Sequence, residues 1–206
     1  MKKVKYLIIL IILILFGIIG RRIYIKISST TTHPITGETV RIGDRIDSFN
    51  EVNVYYNGPV SNVTGRNRTL TGYNLGLKYQ CVEFVKRYYY EYFDHKMPDT
   101  YGHAKDFFDE SIPDGEISPK RNLIQYTNPS KSRPEVSDLV IFGPTTYNRY
   151  GHVAIISAVT DDEIEIIQQN PGPSVSSRVK YKLENIDGKW EIKNKRTLGW
   201  LRKEKK

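Results

Sequence analysis

The sequence predicts an α+β domain, with N-terminal helices packed on one face of an antiparallel β-sheet, standing behind an apolar membrane helix. Three observations carry this prediction. Leu7 to Ile19 is an unbroken apolar run but for Gly17. From Gln80 to Phe93 no Gly or Pro occurs, and Cys81, Phe84, Val85, Tyr88 and Tyr92 recur at spacings of three and four, the period of an amphipathic helix. After Pro134 the chain breaks into short apolar stretches separated by turn residues, and helices followed by a run of strands is the α+β pattern.

Lys2, Lys3 and Lys5 precede the N-terminal run, and Arg21 and Arg22 follow it. The run is shorter than the roughly 20 residues that cross a hydrocarbon core and falls in the range of a signal-peptide core. No small-x-small cleavage site follows, however, and a tilted helix with snorkelling arginines extends the span through Tyr24 and Ile25 to Ile27. An uncleaved anchor over 1–27 is therefore expected in preference to a signal peptide. A buried core helix would not carry Ile and Leu on every face. The leading basic cluster places the body outside the cytoplasm, in the periplasm or at the cell surface.

Ser28 to Thr32 is Ser and Thr only, then His33 and Pro34, which reads as a linker over 28–39. A catalytic-sized domain is expected over 40–206, since the 206 residues leave room for one such unit. Between Val40 and Leu77, Gly and Asn are frequent and Val52, Val54 and Tyr56 alternate, which suggests loops and one or two short strands. The main helix spans Gln80 to Phe93, and a shorter helical piece covers His103 to Phe108, ended by Pro113 and Gly115. Strands are expected at Asp138–Phe142, His152–Val159, Glu163–Gln168, Ser177–Lys182, Trp190–Lys193 and Leu198–Leu201.

The net charge of +8 lies at the chain ends. Residues 1–26 carry six Lys and Arg and no acid, and 202–206 add four bases and one Glu, which leaves the body at −1. A nearly neutral body does not track a phosphate backbone, so no nucleic-acid partner is expected. No residues form a convincing metal-ligand set, and no metal or cofactor is expected.

One cysteine excludes an internal disulfide and CxxC chemistry. Cys81 is then an inert buried residue, an intermolecular disulfide partner or a nucleophile. It falls in the first turn of the strongest helix, where unpaired N–H groups and the helix dipole favour a thiolate, so a lowered pKa is expected. Among four histidines, His152 stands apart. It opens a strand after Gly151 with Val153, Ala154, Ile155 and Ile156 behind it, which would hold it rigidly at a cleft; taken alone, it is as readily structural as catalytic. After a turn at Asp161 and Asp162, the antiparallel return strand ends at Gln168, Gln169 and Asn170, bringing Gln168 or Asn170 within reach of His152. An amide oxygen there can accept from an imidazole N–H as a carboxylate does, without the full charge.

The run Tyr79-Gln80-Cys81-Val82-Glu83-Phe84-Val85-Lys86-Arg87, then Gly151-His152-Val153-Ala154-Ile155-Ile156, then Gln168-Gln169-Asn170 and the closing Leu198-Gly199-Trp200-Leu201 resemble the CHAP domain, the cysteine, histidine-dependent amidohydrolases and peptidases. The likeness spans roughly Asn50 to Leu201 and is nearest the amidase domain of glutathionylspermidine synthetase/amidase. It implies a papain-like fold in which Cys81 attacks an amide carbonyl and His152 shuttles the proton. The third member of the amidase pattern is a Glu in Glu-Gln-Asn, and Gln168 stands at that position. This departure implies either a ring oriented by an amide or a domain that has kept its fold and lost turnover. Gln80 is a candidate oxyanion contributor or a helix-capping polar residue, and Asn170 a candidate supporting residue. The resemblance implies, in order, a peptidoglycan hydrolase, an amidase of small glutathione or polyamine conjugates, and a non-catalytic membrane-tethered binding module.

Overall fold

Lys2–Ser28 form one α-helix, α1, of 27 residues, about 40 Å long at 1.5 Å per residue. Its stretch Tyr6–Ile23 has a mean hydropathy of 2.4 with no part buried. The helix thus continues past the end of the apolar run, and by length and composition it is sufficient to cross a membrane. The computed structural model of the protein describes residues 2–28, 30–32, 37, 39–173 and 175–204. Much of the expected 28–39 linker, His33 and Pro34 included, lies outside the described residues. Within it, Thr30–Thr32 form a short strand, β1, paired antiparallel with β2 at Thr39–Arg41. Three consecutive β-branched threonines suit an extended ladder, so part of the run read as linker is paired.

Two hairpins follow. β3 (Arg45–Phe49) and β4 (Val52–Tyr55) are joined through Asn50 and Glu51, both at positive φ as a two-residue hairpin loop requires. β5 (Arg66–Arg68) pairs with β6 (Asn74–Leu77). The chain then enters α2, Cys81–Phe93, which ends where left-handed Asp94 returns its N–H to the carbonyl of Tyr89. The second helix expected at His103–Phe108 is one 3-10 turn, Ala104–Phe107, with His103 and Asp106 capping each other. Polar caps and the glycine and proline beyond it leave no run long enough to propagate an α-helix.

The remaining strands are β7 (Glu116–Ser118), β8 (Leu123–Thr127), β9 (Leu139–Phe142), β10 (His152–Val159), β11 (Glu163–Ile167), β12 (Arg178–Ile186), β13 (Lys189–Ile192) and β14 (Thr197–Arg202). They form one antiparallel sheet in the order β13-β12-β11-β10-β9-β14-β8-β7. The six expected strands are present with ends shifted by a few residues, whereas β7 and β8 were not anticipated. The sheet curls, because Trp190 of β13 exchanges backbone hydrogen bonds with Ser130, just beyond β8.

Alternation along the central strands divides the core in two. Leu139 and Ile141, Val153 and Ile155, and Leu201 face α2, packing with Phe84, Val85, Tyr88 and Tyr89. Val140, Phe142, Ala154, Ile156 and Trp200 point the other way and meet Ile164, Ile166, Leu183 and Ile192 of the curled sheet. Both faces of β9 and β10 are thereby buried, which explains their continuous apolar character. Phe84 and Val85 are fully buried three and four residues after the start of α2, so the helix's first turn is clamped to β10. Truncating Phe84 to Ala would cost about 3–5 kcal/mol.

Candidate active site

Cys81 is the first residue of α2, and the backbone that delivers it is strained. Tyr79 takes a left-handed φ of 64°, turning the chain from β6 into the helix, at a cost of about 1–2 kcal/mol for a residue with a Cβ. The ring of Tyr79 is held by that of Tyr55, 5.5 Å between centroids. His152 opens β10, paired with Phe142 of β9. Gly151 before it has φ 72°, and a Cβ there would come within 2.6 Å of the Phe142 carbonyl, so only glycine permits the turn that presents the imidazole.

The two meet at one groove. Cys81 and His152 both line a cavity of about 510 Å³ whose walls include Gln80, Tyr101, Tyr150 and Asn170. The backbone N–H groups of Val153, the residue next to His152, and of Val82 and Cys81 at the helix start act on the Cys81 sulfur, each favouring the thiolate. Cys81 as a residue is partly exposed and lines the groove, while its thiol lies deep among protein atoms.

Nε2 of His152 lies 2.9 Å from Oε1 of Gln168. The orientation of that amide is fixed from behind, where Gln168 Nε2 donates to the carbonyl of Ser176 at 3.0 Å. An amide oxygen only accepts, so the imidazole must donate through Nε2 and carry its lone pair on Nδ1. Burial pushes the imidazole down to about 4, a fall that the hydrogen bond to Gln168 only partly offsets. Burial also pushes the Cys81 thiol up to about 11, against the opposing N–H groups of Val153, Val82 and Cys81.

This corrects the expectation of a lowered thiol pKa. The helix-start N–H groups do act in the expected direction, but both groups lie deep among protein atoms and Gln168 brings no charge to stabilise an imidazolium. The resting pair is a neutral thiol and a neutral imidazole.

Each of the three residues after β11 engages a different partner. Gln168 holds His152. Gln169, fully buried, donates to the carbonyl of Gln80 at 3.1 Å and to Glu83 Oε2 at 2.9 Å, and its oxygen accepts from the backbone of Tyr55 at 2.7 Å. Asn170 donates to the carbonyl of Val60 at 3.0 Å and to Gln80 Oε1 at 2.5 Å. The Gln80 amide nitrogen in turn donates to the carbonyls of Asn62 at 2.6 Å and Val60 at 3.3 Å. Both of its hydrogens are thus spent on the 60–62 loop, which removes the oxyanion reading of its side chain. Nor does that side chain cap α2. Its place is to tie the helix that begins at Cys81 to Asn170 and the loop.

Reasoning from the sequence missed Gln169 and the buried Glu83–Arg87 ion pair of 2.7 Å on which it rests. The available signal was parity: neighbours in an extended segment point to opposite sides, so if Gln168 faces His152, Gln169 faces α2. Among the described residues no group of three or more His, Cys, Asp or Glu is placed to hold a metal.

Comparison with known sequences meets this geometry. The family model of the CHAP domain matches residues 72–170, the stretch that contains Cys81, His152 and Gln168–Asn170. Residues 72–170 are a CHAP domain. Trypanothione synthetase of Crithidia fasciculata is 32% identical over 120 residues, covering 57% of this chain and 18% of that protein. Glutathionylspermidine synthase of the same organism is 31% identical over 101 residues, 48% of this chain and 14% of that protein. The chain therefore spans less than a fifth of the length of these curated relatives. A solved structure, the crystal structure of Ly7917, aligns at 27% identity with a TM-score of 0.26, over 36% of this chain and 30% of that one. The matched stretch of the CHAP domain runs from the β5–β6 hairpin through α2 to the end of the β11 return.

Proposed function

We propose that the protein is a thiol-dependent amidohydrolase or peptidase with Cys81 as nucleophile, His152 as general base and Gln168 as the residue that orients the imidazole. The observation that supports this most is the His152–Gln168–Ser176 chain of hydrogen bonds, which commits the Nδ1 lone pair of a groove-lining imidazole to proton acceptance. The reaction starts from the neutral pair. As Sγ bonds to the amide carbon, its proton passes to Nδ1, so charge develops only with bond formation. The backbone N–H groups of Cys81 and Val82 at the start of α2, with that of Val153, are the candidate donors for the oxyanion. The imidazolium then returns its proton to the leaving amine, and a water deprotonated by His152 hydrolyses the thioester.

The proposed setting is a papain-like domain over 40–206 held by residues 1–27 in a membrane, its groove outside the cytoplasm, where peptidoglycan supplies amide bonds. A second reading, amide hydrolysis in a small thiol–polyamine conjugate, is favoured by the sequence likeness to trypanothione synthetase and glutathionylspermidine synthase. The full-length protein in detergent, incubated with purified peptidoglycan and separately with glutathionylspermidine, decides between them by mass analysis of the products. Release by wild type and not by Cys81→Ala is expected with peptidoglycan. Equal release by both proteins would remove Cys81 from the chemistry, and release by neither would leave a non-catalytic binding module.

A further inference from the structure

The groove that holds Cys81 and His152 is lined by two residues of fixed charge, Arg66 and Asp106. Asp106 is occupied, its Oδ2 accepting from the His103 backbone at 2.7 Å as the cap of the 3-10 turn. Arg66 is seated but not neutralised. Its Nη1 donates to Asn74 Oδ1 at 3.0 Å, and its guanidinium lies over the ring of Tyr101, 5.5 Å from the centroid. The seat is rigid, because buried Asn74 donates to the Thr100 carbonyl at 2.8 Å and buried Lys86 donates to the carbonyls of both Asn74 and Thr100. No carboxylate pairs with Arg66 among the described residues.

We propose that Arg66 anchors a carboxylate of the substrate in the groove, so that the amide cleaved belongs to a carboxylate-bearing peptide. This rests on the hydrolase reading above and narrows its substrate class. A guanidinium with one N–H fixed keeps its remaining donors in a plane, which suits a bidentate carboxylate, and stacking on Tyr101 removes the freedom that would otherwise oppose binding. The neighbourhood carries a small positive excess, with Arg66, Lys86 and Arg121 against Asp99 and Asp106. Lys86 is held down to about 8, first by burial and then by Arg121 and Arg66, with Asp99 opposing. A polyamine segment would be repelled from this end of the groove and a carboxylate drawn to it.

The test uses full-length protein in detergent and peptidoglycan stem peptides in two forms, with carboxylates free or capped as methyl amides. Affinity is measured by calorimetry on Cys81→Ala, which does not depend on turnover, and kcat/KM on the protein with Cys81 intact. The free acid should bind about 10- to 100-fold more tightly than the capped form. Adding Arg66→Gln, which keeps a donor for Asn74, should collapse that ratio to near one, and Arg66→Lys should restore part of it. Raising the salt concentration should shrink the ratio in the Cys81→Ala protein alone. Equal affinity for the two forms, a ratio unchanged by Arg66→Gln, or no binding of either form overturns the proposal. Discrimination by Cys81→Ala without hydrolysis by wild type would sink the hydrolase reading and leave the carboxylate site standing. Hydrolysis of both forms at one rate would do the reverse.

Discussion

The amide of Gln168 satisfies two opposite demands at once, taking the Nε2–H of His152 on its oxygen at 2.9 Å and giving its own N–H to the Ser176 carbonyl at 3.0 Å. A carboxylate could meet the first demand but not the second, since it would set one oxygen against the Ser176 carbonyl. The glutamine is therefore matched to its surroundings, and the local backbone gives a physical reason for its presence.

Two substitutions test this. Gln168→Ala should lower kcat/KM by about 10- to 100-fold with a smaller change in KM, because the ring loses its orientation and tautomer. Gln168→Glu should cost about 1–3 kcal/mol in urea unfolding at neutral pH, from the facing carbonyl. In its ionised form it should also move the acid limb of the rate profile to higher pH than in wild type, by stabilising the imidazolium and so removing the neutral base sooner on acidification. A Glu variant as stable as wild type, with the same acid limb, would show that the amide orientation has no role.

The thiol at about 11 and the imidazole at about 4 set a broad working range. The attacking pair needs a neutral imidazole, present above about 4, and a thiol with its proton, present below about 11. The kcat/KM of the wild type should therefore be level across neutral pH and fall on either side. Alkylation of Cys81 by iodoacetamide, which needs the thiolate, should be slow at pH 7 and climb toward pH 11. Fast alkylation at neutral pH would mean that the pair rests as thiolate and imidazolium.

Stability should respond to the same burial. The folded value of His152 lies below its ordinary 6.5, so the unfolded chain binds a proton that the folded chain refuses. This contribution is whole above about 6.5 and is lost as pH falls toward about 4. Asp138 acts oppositely: burial, only partly offset by Arg202, raises it from 3.8 to about 6. Over that window its protonation favours the folded state on acidification. The wild-type curve should thus be shallow, and His152→Ala should gain on wild type in urea unfolding between pH 7 and 4.5. A constant difference between the two proteins across that range would exclude burial of a neutral His152.

Much of this was legible in the sequence where a residue's role depends on its own element. The helix from Cys81 and the strand from His152 follow from periodicity and from Gly151, and the antiparallel return brings Gln168 to His152 by counting alone. What the sequence hid depends on partners far along the chain. The thiol pKa turns on how deeply β10 packs against α2, which overrides the local helix-start effect. The role of Gln80 turns on the 60–62 loop, whose carbonyls take its amide. β8 was missed because Leu123–Thr127 alternates too briefly to stand out, although it pairs with β14 in the finished sheet.

Gln169 makes the last case, since it binds the return strand to the helix that begins at Cys81. Its amide nitrogen bridges the carbonyl of Gln80 and Glu83 Oε2, while Glu83 Oε1 takes Arg87 Nε and Asn67 Nδ2, both at 2.7 Å. Removing the amide strands a buried carboxylate oxygen, the Tyr55 N–H and the helix-start carbonyl together. Gln169→Ala should therefore cost about 2–4 kcal/mol in urea unfolding, more than one hydrogen bond is worth. Gln169→Glu should cost more still, despite its similar size, because a second carboxylate would then face Glu83 Oε2 in place of a donor, with the Arg87 guanidinium between the two residues offsetting only part of the repulsion. The deciding comparison is the double variant Gln169→Glu with Glu83→Gln, which restores a donor to the pair and should recover most of the stability lost by Gln169→Glu alone. If that double variant is no more stable than the single one, the contact between Gln169 and Glu83 does not hold the two elements together.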